Sequence, residues 1–149
     1  MKLPSLQEMK RLGYRALKQS WEPSALERGI QFLREGAFDG LEVARRGSSG
    51  QRIEFTLNDP SHLAGKSSID FESPGQPTYS HCNCSHADHG IFCKHQAAST
   101  LVLTLCLTGK DETARLPDPV WAKIDEFRET VEGLRTQKAN VQVQSTTTA

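Results

Sequence analysis

The chain of 149 residues has the length of one ordinary domain, with 36% hydrophobic and 24% charged residues. Eighteen basic and eighteen acidic residues cancel, which weighs against a protein that grips bulk duplex DNA by a strong positive field. No apolar run long enough for a membrane span is present, and residues 1–5 lack the apolar stretch of a secretory signal. We therefore expect a cytoplasmic protein whose four cysteines are thiols or metal thiolates rather than disulfides.

The charge is spread unevenly along the chain. Residues 1–52 hold ten Lys and Arg against six Asp and Glu, whereas residues 53–149 hold eight against twelve. A polyanion would therefore prefer the N-terminal half.

Two capping boxes predict a pair of N-terminal helices. Residues 5–8 (Ser-Leu-Gln-Glu) begin a helix that runs to about Gln19, and residues 24–27 (Ser-Ala-Leu-Glu) begin a second that ends at Gly36. Basic residues recur at helical spacing along the first helix. This stripe is either a solvated face or a surface that contacts phosphate, and it comprises Arg11, Arg15 and Lys18.

Beyond Gly36 the apolar residues alternate, which is typical of β-strands. Phe38 to Val43 and Ile53 to Leu57 flank a turn of Arg, Gly and Ser, which predicts a β-hairpin with a basic tip. A further short strand contains Ile69 and Phe71 and is broken by Pro74 and Gly75.

The C-terminal half predicts two helices and a tail. The first runs from Lys94 to Thr108 and is ended by Gly109; its residues 101–107 are apolar on every side, which indicates deep burial. A last helix over residues 117–135 opens at Pro119. Residues 136–149 form a polar tail that we expect to be disordered. Apolar residues of the last helix could pack on the chain's own core or dock on a partner helix: Val120, Ile124, Phe127, Val131 and Leu134.

Residues 81–95 hold three of the four cysteines and four of the five histidines. Thiolate and imidazole are ligands that zinc favours, and four of them close a tetrahedron without an open position, so the predicted site is structural rather than catalytic. The cysteine ligands are Cys82, Cys84 and Cys93. His95 is the favoured fourth ligand, because it lies close to Cys93 at the start of the predicted helix. The spacing leaves three substitutes open: His81, His86 and His89.

The pattern Cys-x-Cys, eight residues, Cys-x-His resembles the SWIM zinc finger, which is named for its occurrence beside SNF2-type ATPases and in MuDR-type transposases. Gly90 and residues 92–95 (Phe-Cys-Lys-His) match its second half, and residues 28–36 resemble a segment found upstream of the finger in bacterial members. The resemblance implies one zinc ion on Cys82, Cys84, Cys93 and His95.

The sequence thus predicts an α+β fold: a small zinc-stabilised domain with N-terminal helices, an antiparallel hairpin or small sheet, a helix after the zinc site and a C-terminal helix. The predicted organisation is a basic helix at residues 1–20, a SWIM-like domain at 21–109 with its finger at 78–108, the last helix at 117–135, and the tail.

The resemblance also implies a nucleic-acid-associated accessory protein, with DNA favoured over RNA, that acts in trans beside a SNF2-type ATPase. Neither a phosphate-binding glycine loop nor a nucleophile–base arrangement is recognisable, so an enzyme is not predicted. The alternative function is a protein-interaction adaptor that docks through the last helix. Lys94 would contact phosphate or offset the charge of the zinc centre, and the hairpin arginines would contact phosphate or only aid solubility. The candidate nucleic-acid contacts are Arg45, Arg46, Arg52, Lys94, Arg11, Arg15 and Lys18. We expect Cys106 to pack as a small apolar residue.

Overall fold

A computed structural model describes residues 3–20, 23–46, 50–59, 66–82 and 93–136. The predicted α+β class is confirmed: within these ranges, five α-helices accompany one four-stranded antiparallel sheet. The N-terminal part consists of α1 (Leu6–Ser20), α2 (Pro23–Arg34), β1 (Phe38–Arg46), β2 (Gly50–Leu57), β3 (Lys66–Ser73) and β4 (Gln76–Cys82). The remainder consists of α3 (Lys94–Thr108), a 3-10 turn (Glu112–Ala114), α4 (Asp118–Asp125) and α5 (Arg128–Thr136).

The sheet is a meander in which each strand pairs with the next one in sequence, in the order β1-β2-β3-β4. The predicted hairpin is confirmed, with Val43 opposite Ile53 and Ile53 opposite Ile69. Because side chains alternate along a strand, the apolar ones share one face. That face forms part of the core and carries Leu41, Ile53, Phe55, Leu57, Ile69 and Phe71.

Helix α3 is the centre of the molecule and has the predicted bounds. Every residue from His95 to Leu107 is buried, because α1, α2, α4, α5 and the sheet all pack against this helix. Its buried hydroxyls bond back to carbonyls one turn earlier, Thr100 to Gln96 and Thr104 to Thr100, each at 3.0 Å. The helix therefore buries polar side chains without leaving these hydroxyls unsatisfied.

Helix α1 differs from the prediction at its middle. Ser5 caps it as expected, accepting a hydrogen bond from the Glu8 amide at 3.1 Å, but Gly13 has φ 74° and ψ −174° and kinks the helix. A left-handed φ is available to glycine at little steric cost. The kink interrupts the regular spacing that predicted one basic stripe from Arg11 to Lys18.

The predicted last helix is two helices. Glu126 and Phe127 form a turn between α4 and α5. The apolar residues at positions 120, 124, 127, 131 and 134 are separated alternately by four and three residues. This spacing fits one long helix, but it fits two short helices on a shared core equally well. The core interpretation of these apolar residues is confirmed, because all five belong to or pack against one hydrophobic cluster.

That cluster contains side chains from every one of the five helices and from β1, β2 and β3. None of the described helices combines the length and the hydropathy that a membrane span requires.

Candidate metal centre

Three of the four predicted ligands come together where β4 meets α3. Cys82 is the last residue of β4, Cys93 immediately precedes α3, and His95 lies in its first turn. Their ligand atoms all lie within 4.8 Å of one another. Cys84, the fourth predicted ligand, lies outside the described residues, as do His86 and His89.

The donor set fits a metal ion. Zinc–sulfur bonds of about 2.3 Å and zinc–nitrogen bonds of about 2.0 Å separate the ligand atoms of a tetrahedral site by roughly 3.7 Å. A spread of up to 4.8 Å is slightly wider, so small side-chain adjustments would close the site on an ion. Two sulfurs and an imidazole suit several transition metals. The three donor atoms therefore lie close enough together to bind a metal ion, and their types alone do not select one ion.

Cys93 is fixed by a capping box at the start of α3. Its sulfur accepts a hydrogen bond from the Gln96 amide at 3.4 Å, and the Gln96 side chain accepts one from the Cys93 amide at 3.1 Å. Gln96 also donates to the Ser80 carbonyl in β4 at 3.1 Å. These bonds orient the sulfur and join α3 to β4, and the N-terminal end of the helix dipole favours a thiolate there.

The His95 ring is held from two sides. Its Nε2 lies 2.8 Å from Oδ2 of Asp59, which follows β2. The Phe32 ring of α2 meets it edge-on, with centroids 5.2 Å apart and planes at 89°. The side chain of His95 is only 2% exposed, so both contacts lie in a largely dry environment.

Lys94 contacts two partners within the chain. Its Nζ lies 3.2 Å from Asp59 Oδ2 and 4.9 Å from the centroid of the Phe32 ring. Of its two predicted roles, the contact with a buried carboxylate fits charge balance near the site better than phosphate binding. Sequence reasoning missed Asp59, which is 36 residues from His95 and belongs to no local motif.

Arg52, a predicted nucleic-acid contact, is engaged within the sheet. Its guanidinium forms two hydrogen bonds with the fully buried carboxylate of Asp70, at 2.6 and 3.1 Å. His81 also contacts this carboxylate, at 3.0 Å, rather than joining the thiols. The hydrogen bond from Arg52 is the main reason why the pKa of Asp70 is lowered, followed by the smaller contribution of His81. Burial opposes that shift. Arg52 is therefore a cross-strand ion-pair residue.

Of the other predicted nucleic-acid contacts, the structure describes the side chains of Arg45 and Arg11. Arg45 is exposed at the end of β1 and takes part in none of the ion pairs within the described part of the chain, and Arg11 is exposed on α1. The side chains of Arg46, Arg15 and Lys18 are not among those that the structure describes.

Cys106 lies apart from the metal centre. It is buried, its sulfur is 3.6 Å from the Ile124 carbonyl oxygen, and burial raises the pKa of its thiol to about 12. A thiol with such a pKa is not a reactive nucleophile, and the prediction that Cys106 packs as an apolar residue is confirmed.

No protein-family model matches the chain, and neither a curated protein nor a solved structure matches it.

Proposed function

We propose that this protein is a SWIM-type binding module in which one structural zinc ion, bound by Cys82, Cys84, Cys93 and His95, joins β4 to α3. The observation that carries the proposal is the convergence of the Cys82, Cys93 and His95 ligand atoms within 4.8 Å. The Cys-x-Cys…Cys-x-His pattern supplies Cys84 as the fourth ligand, and a donor set rich in thiolate favours zinc among the common ions.

The proposed ion has a structural role, and the protein is a binding module rather than an enzyme. Four protein ligands leave no position for a water molecule or a substrate. Cys93 and His95 are buried, with 1% exposure each, so the ion would lie inside a hydrogen-bonded junction of two elements. Its binding energy would then contribute directly to the stability of the fold.

Metal analysis of the purified protein tests this proposal. We expect one equivalent of zinc, and replacement by Co²⁺ should give the visible spectrum of a tetrahedral ion with three sulfur ligands. Cys84→Ser and His95→Ala should each abolish stoichiometric binding or change this spectrum, whereas Cys106→Ala is the matched control that leaves both unchanged. A wild-type protein without zinc, or a Cys84→Ser variant with an unaltered cobalt spectrum, would contradict the assignment.

We further propose that the module contacts nucleic acid, DNA in preference to RNA, through the tip of the β1–β2 hairpin. Arg45 supports this proposal because it is exposed near the end of β1 that leads to the tip, and Arg46 follows it in the sequence. Arg52 and Lys94 carry less of the interaction, since buried carboxylates already contact them. Phosphate contacts of this kind position a protein on nucleic acid without reading its sequence. The resemblance to SWIM fingers suggests a SNF2-type ATPase as the partner in trans.

A fluorescence-anisotropy titration against single-stranded DNA, duplex DNA and RNA at several salt concentrations tests the interface. The variant Arg45→Glu/Arg46→Glu should keep its zinc and weaken binding, with a shallower salt dependence because fewer counterions are released. Lys110→Glu/Lys123→Glu makes the same change in net charge elsewhere and serves as the matched control. Equal affinities of the two double variants would remove the hairpin tip from the interface.

The adaptor alternative gains no support from the last two helices. The apolar side chains that would dock on a partner already pack within this chain. An adaptor would therefore have to use a different surface.

A further inference from the structure

We propose that Asp59 is a positioning residue for the metal centre: its carboxylate holds the His95 ring so that Nδ1, and not Nε2, faces the ion. The inference rests on the proposed zinc site and adds a residue that does not itself bind the ion. Asp59 does not belong to the cluster of Cys82, Cys93 and His95 donor atoms, so its contact with the centre runs through the imidazole.

The geometry assigns the two ring nitrogens. Asp59 Oδ2 lies 2.8 Å from His95 Nε2, a normal distance for an N–H that donates to a carboxylate. A neutral imidazole carries its proton on one nitrogen only, so a proton on Nε2 leaves Nδ1 with the lone pair that a metal needs. Nδ1 is buried. A carboxylate on the far side of a metal-binding histidine fixes its tautomer and raises its strength as a ligand.

The charges around Asp59 are balanced. Its side chain is only 3% exposed, and an isolated carboxylate is costly at such depth. Lys94 supplies the compensating charge, at 3.2 Å from the same oxygen that contacts His95. An ion bound at Nδ1 would polarise the Nε2–H bond and strengthen its hydrogen bond to the carboxylate. Asp59 therefore contacts both the proposed ligand His95 and the partly exposed ammonium group of Lys94.

Backbone contacts hold Asp59 in place. The amide of the preceding residue, Asn58, donates to the Ala37 carbonyl at 2.7 Å, and the Ala37 amide donates to the Phe32 carbonyl at 3.4 Å. Phe32 in turn packs its ring against His95. The segment after β2 and the end of α2 therefore reach the imidazole together, which gives the ring one orientation.

Zinc affinity is the first measurement. We expect Asp59→Asn, which keeps the shape of the side chain but removes its charge, to weaken zinc binding about 10- to 100-fold in a chelator competition, the usual effect of losing such a partner. Asp39→Asn makes the same chemical change at an exposed carboxylate and should bind like the wild type. An Asp59→Asn affinity equal to that of Asp39→Asn would overturn the proposal.

Long-range ¹H–¹⁵N spectra of the zinc-loaded wild-type protein give a second test that does not depend on the folding of a variant. The His95 signals should show zinc on Nδ1 and a proton on Nε2. Zinc on Nε2 would overturn the role of Asp59 and leave the zinc site intact. A wild-type protein that takes up no zinc would instead overturn the zinc site itself, and this inference with it.

Discussion

The two ends of helix α3 are equally buried but are held by different forces. At its N-terminal end Cys93, His95 and Gln96 are at most 8% exposed. Cys93 and Gln96 bond to each other in the helix cap, while His95 contacts Asp59 and Gln96 donates to the Ser80 carbonyl. In its C-terminal half Leu101, Leu103 and Leu105 are fully buried among apolar side chains. Burying a Leu contributes roughly 1.5–3 kcal/mol without any specific partner.

This difference indicates that the proposed metal would stabilise one end of the helix only. A polar side chain can be buried cheaply only if all its partners are present, so the N-terminal end depends on a complete set of ligands and hydrogen bonds. The apolar half tolerates the loss of any single neighbour better. Of the four variants described next, in order of decreasing effect, the first two test this contrast and the last two test contacts around it.

The largest effect should come from Cys93→Ser, which removes a proposed zinc ligand and the sulfur that caps α3. We expect the free energy of unfolding to fall by more than about 5 kcal/mol, comparable with the whole stability of a small domain. Urea unfolding with and without a chelator measures it. Cys106→Ala is the matched control, and the chelator should still lower its stability. A Cys93→Ser variant as stable as the wild type measured without chelator would refute the ligand role of Cys93.

Leu103→Ala tests the apolar half of α3. Leu103 has 0% exposure, and its truncation should cost about 2–5 kcal/mol through lost burial and a residual cavity. Because the change leaves every metal-centre residue in place, the folded variant should still bind zinc with the wild-type stoichiometry. Loss of zinc from the folded variant would show that the two ends of α3 are not independent.

Gly29→Ala tests the close contact of α2 with α3. A Cβ at position 29 would lie 2.7 Å from Ala97 Cβ, which is too close for two carbon atoms. We expect a loss of about 1–3 kcal/mol in urea unfolding. Gly133→Ala in α5 is the control, since its Cβ would meet nothing within 4 Å. This substitution should stabilise the helix by about 0.5–1 kcal/mol. Equal effects of the two substitutions would contradict this packing.

The smallest effect should come from Glu132→Gln, on the surface between α1 and α5. The hydrogen bond from Arg135, with a smaller one from Lys10, lowers the pKa of Glu132. A lowered pKa stabilises the fold above the unfolded pKa of about 4.3 and loses this contribution as the pH falls through the folded value. The wild type should therefore exceed the variant by less than about 1 kcal/mol at pH 7. In urea unfolding with excess zinc at pH 7, this gap should shrink as added salt screens the ion pair; a gap that does not change with salt would exclude the ion pair as its cause.

Local signals in the sequence predicted most of the fold. The alternation of Ile53, Phe55 and Leu57 predicted β2, and the predicted helix from Lys94 to Thr108, ended by Gly109, has the bounds of α3, because periodicity and helix stops depend on near neighbours. The break at Phe127 was missed, since a short turn between two helices can preserve the spacing of the apolar residues.

The metal centre was predicted only in part, for a similar reason. The sequence predicted Cys82, Cys93 and His95 as ligands because they lie close together along the chain. The partners of Arg52 and Lys94 could not be predicted, because they depend on the register between β2 and β3 and on the position of Asp59 after β2. A one-residue shift of β3 would have moved Asp70 to the other face of the sheet.

The meander has a kinetic consequence. Since every strand pairs with its neighbour in sequence, the sheet can grow from hairpins that each form in about 1–10 microseconds. The proposed metal centre is complete only when residues after β2, at the end of β4 and at the start of α3 have met, and we expect zinc to bind there after the main folding barrier. Interactions that form after the barrier slow unfolding and leave the folding rate almost unchanged. The proposed ion would thus chiefly lower the unfolding rate, and it would lengthen the lifetime of the folded chain.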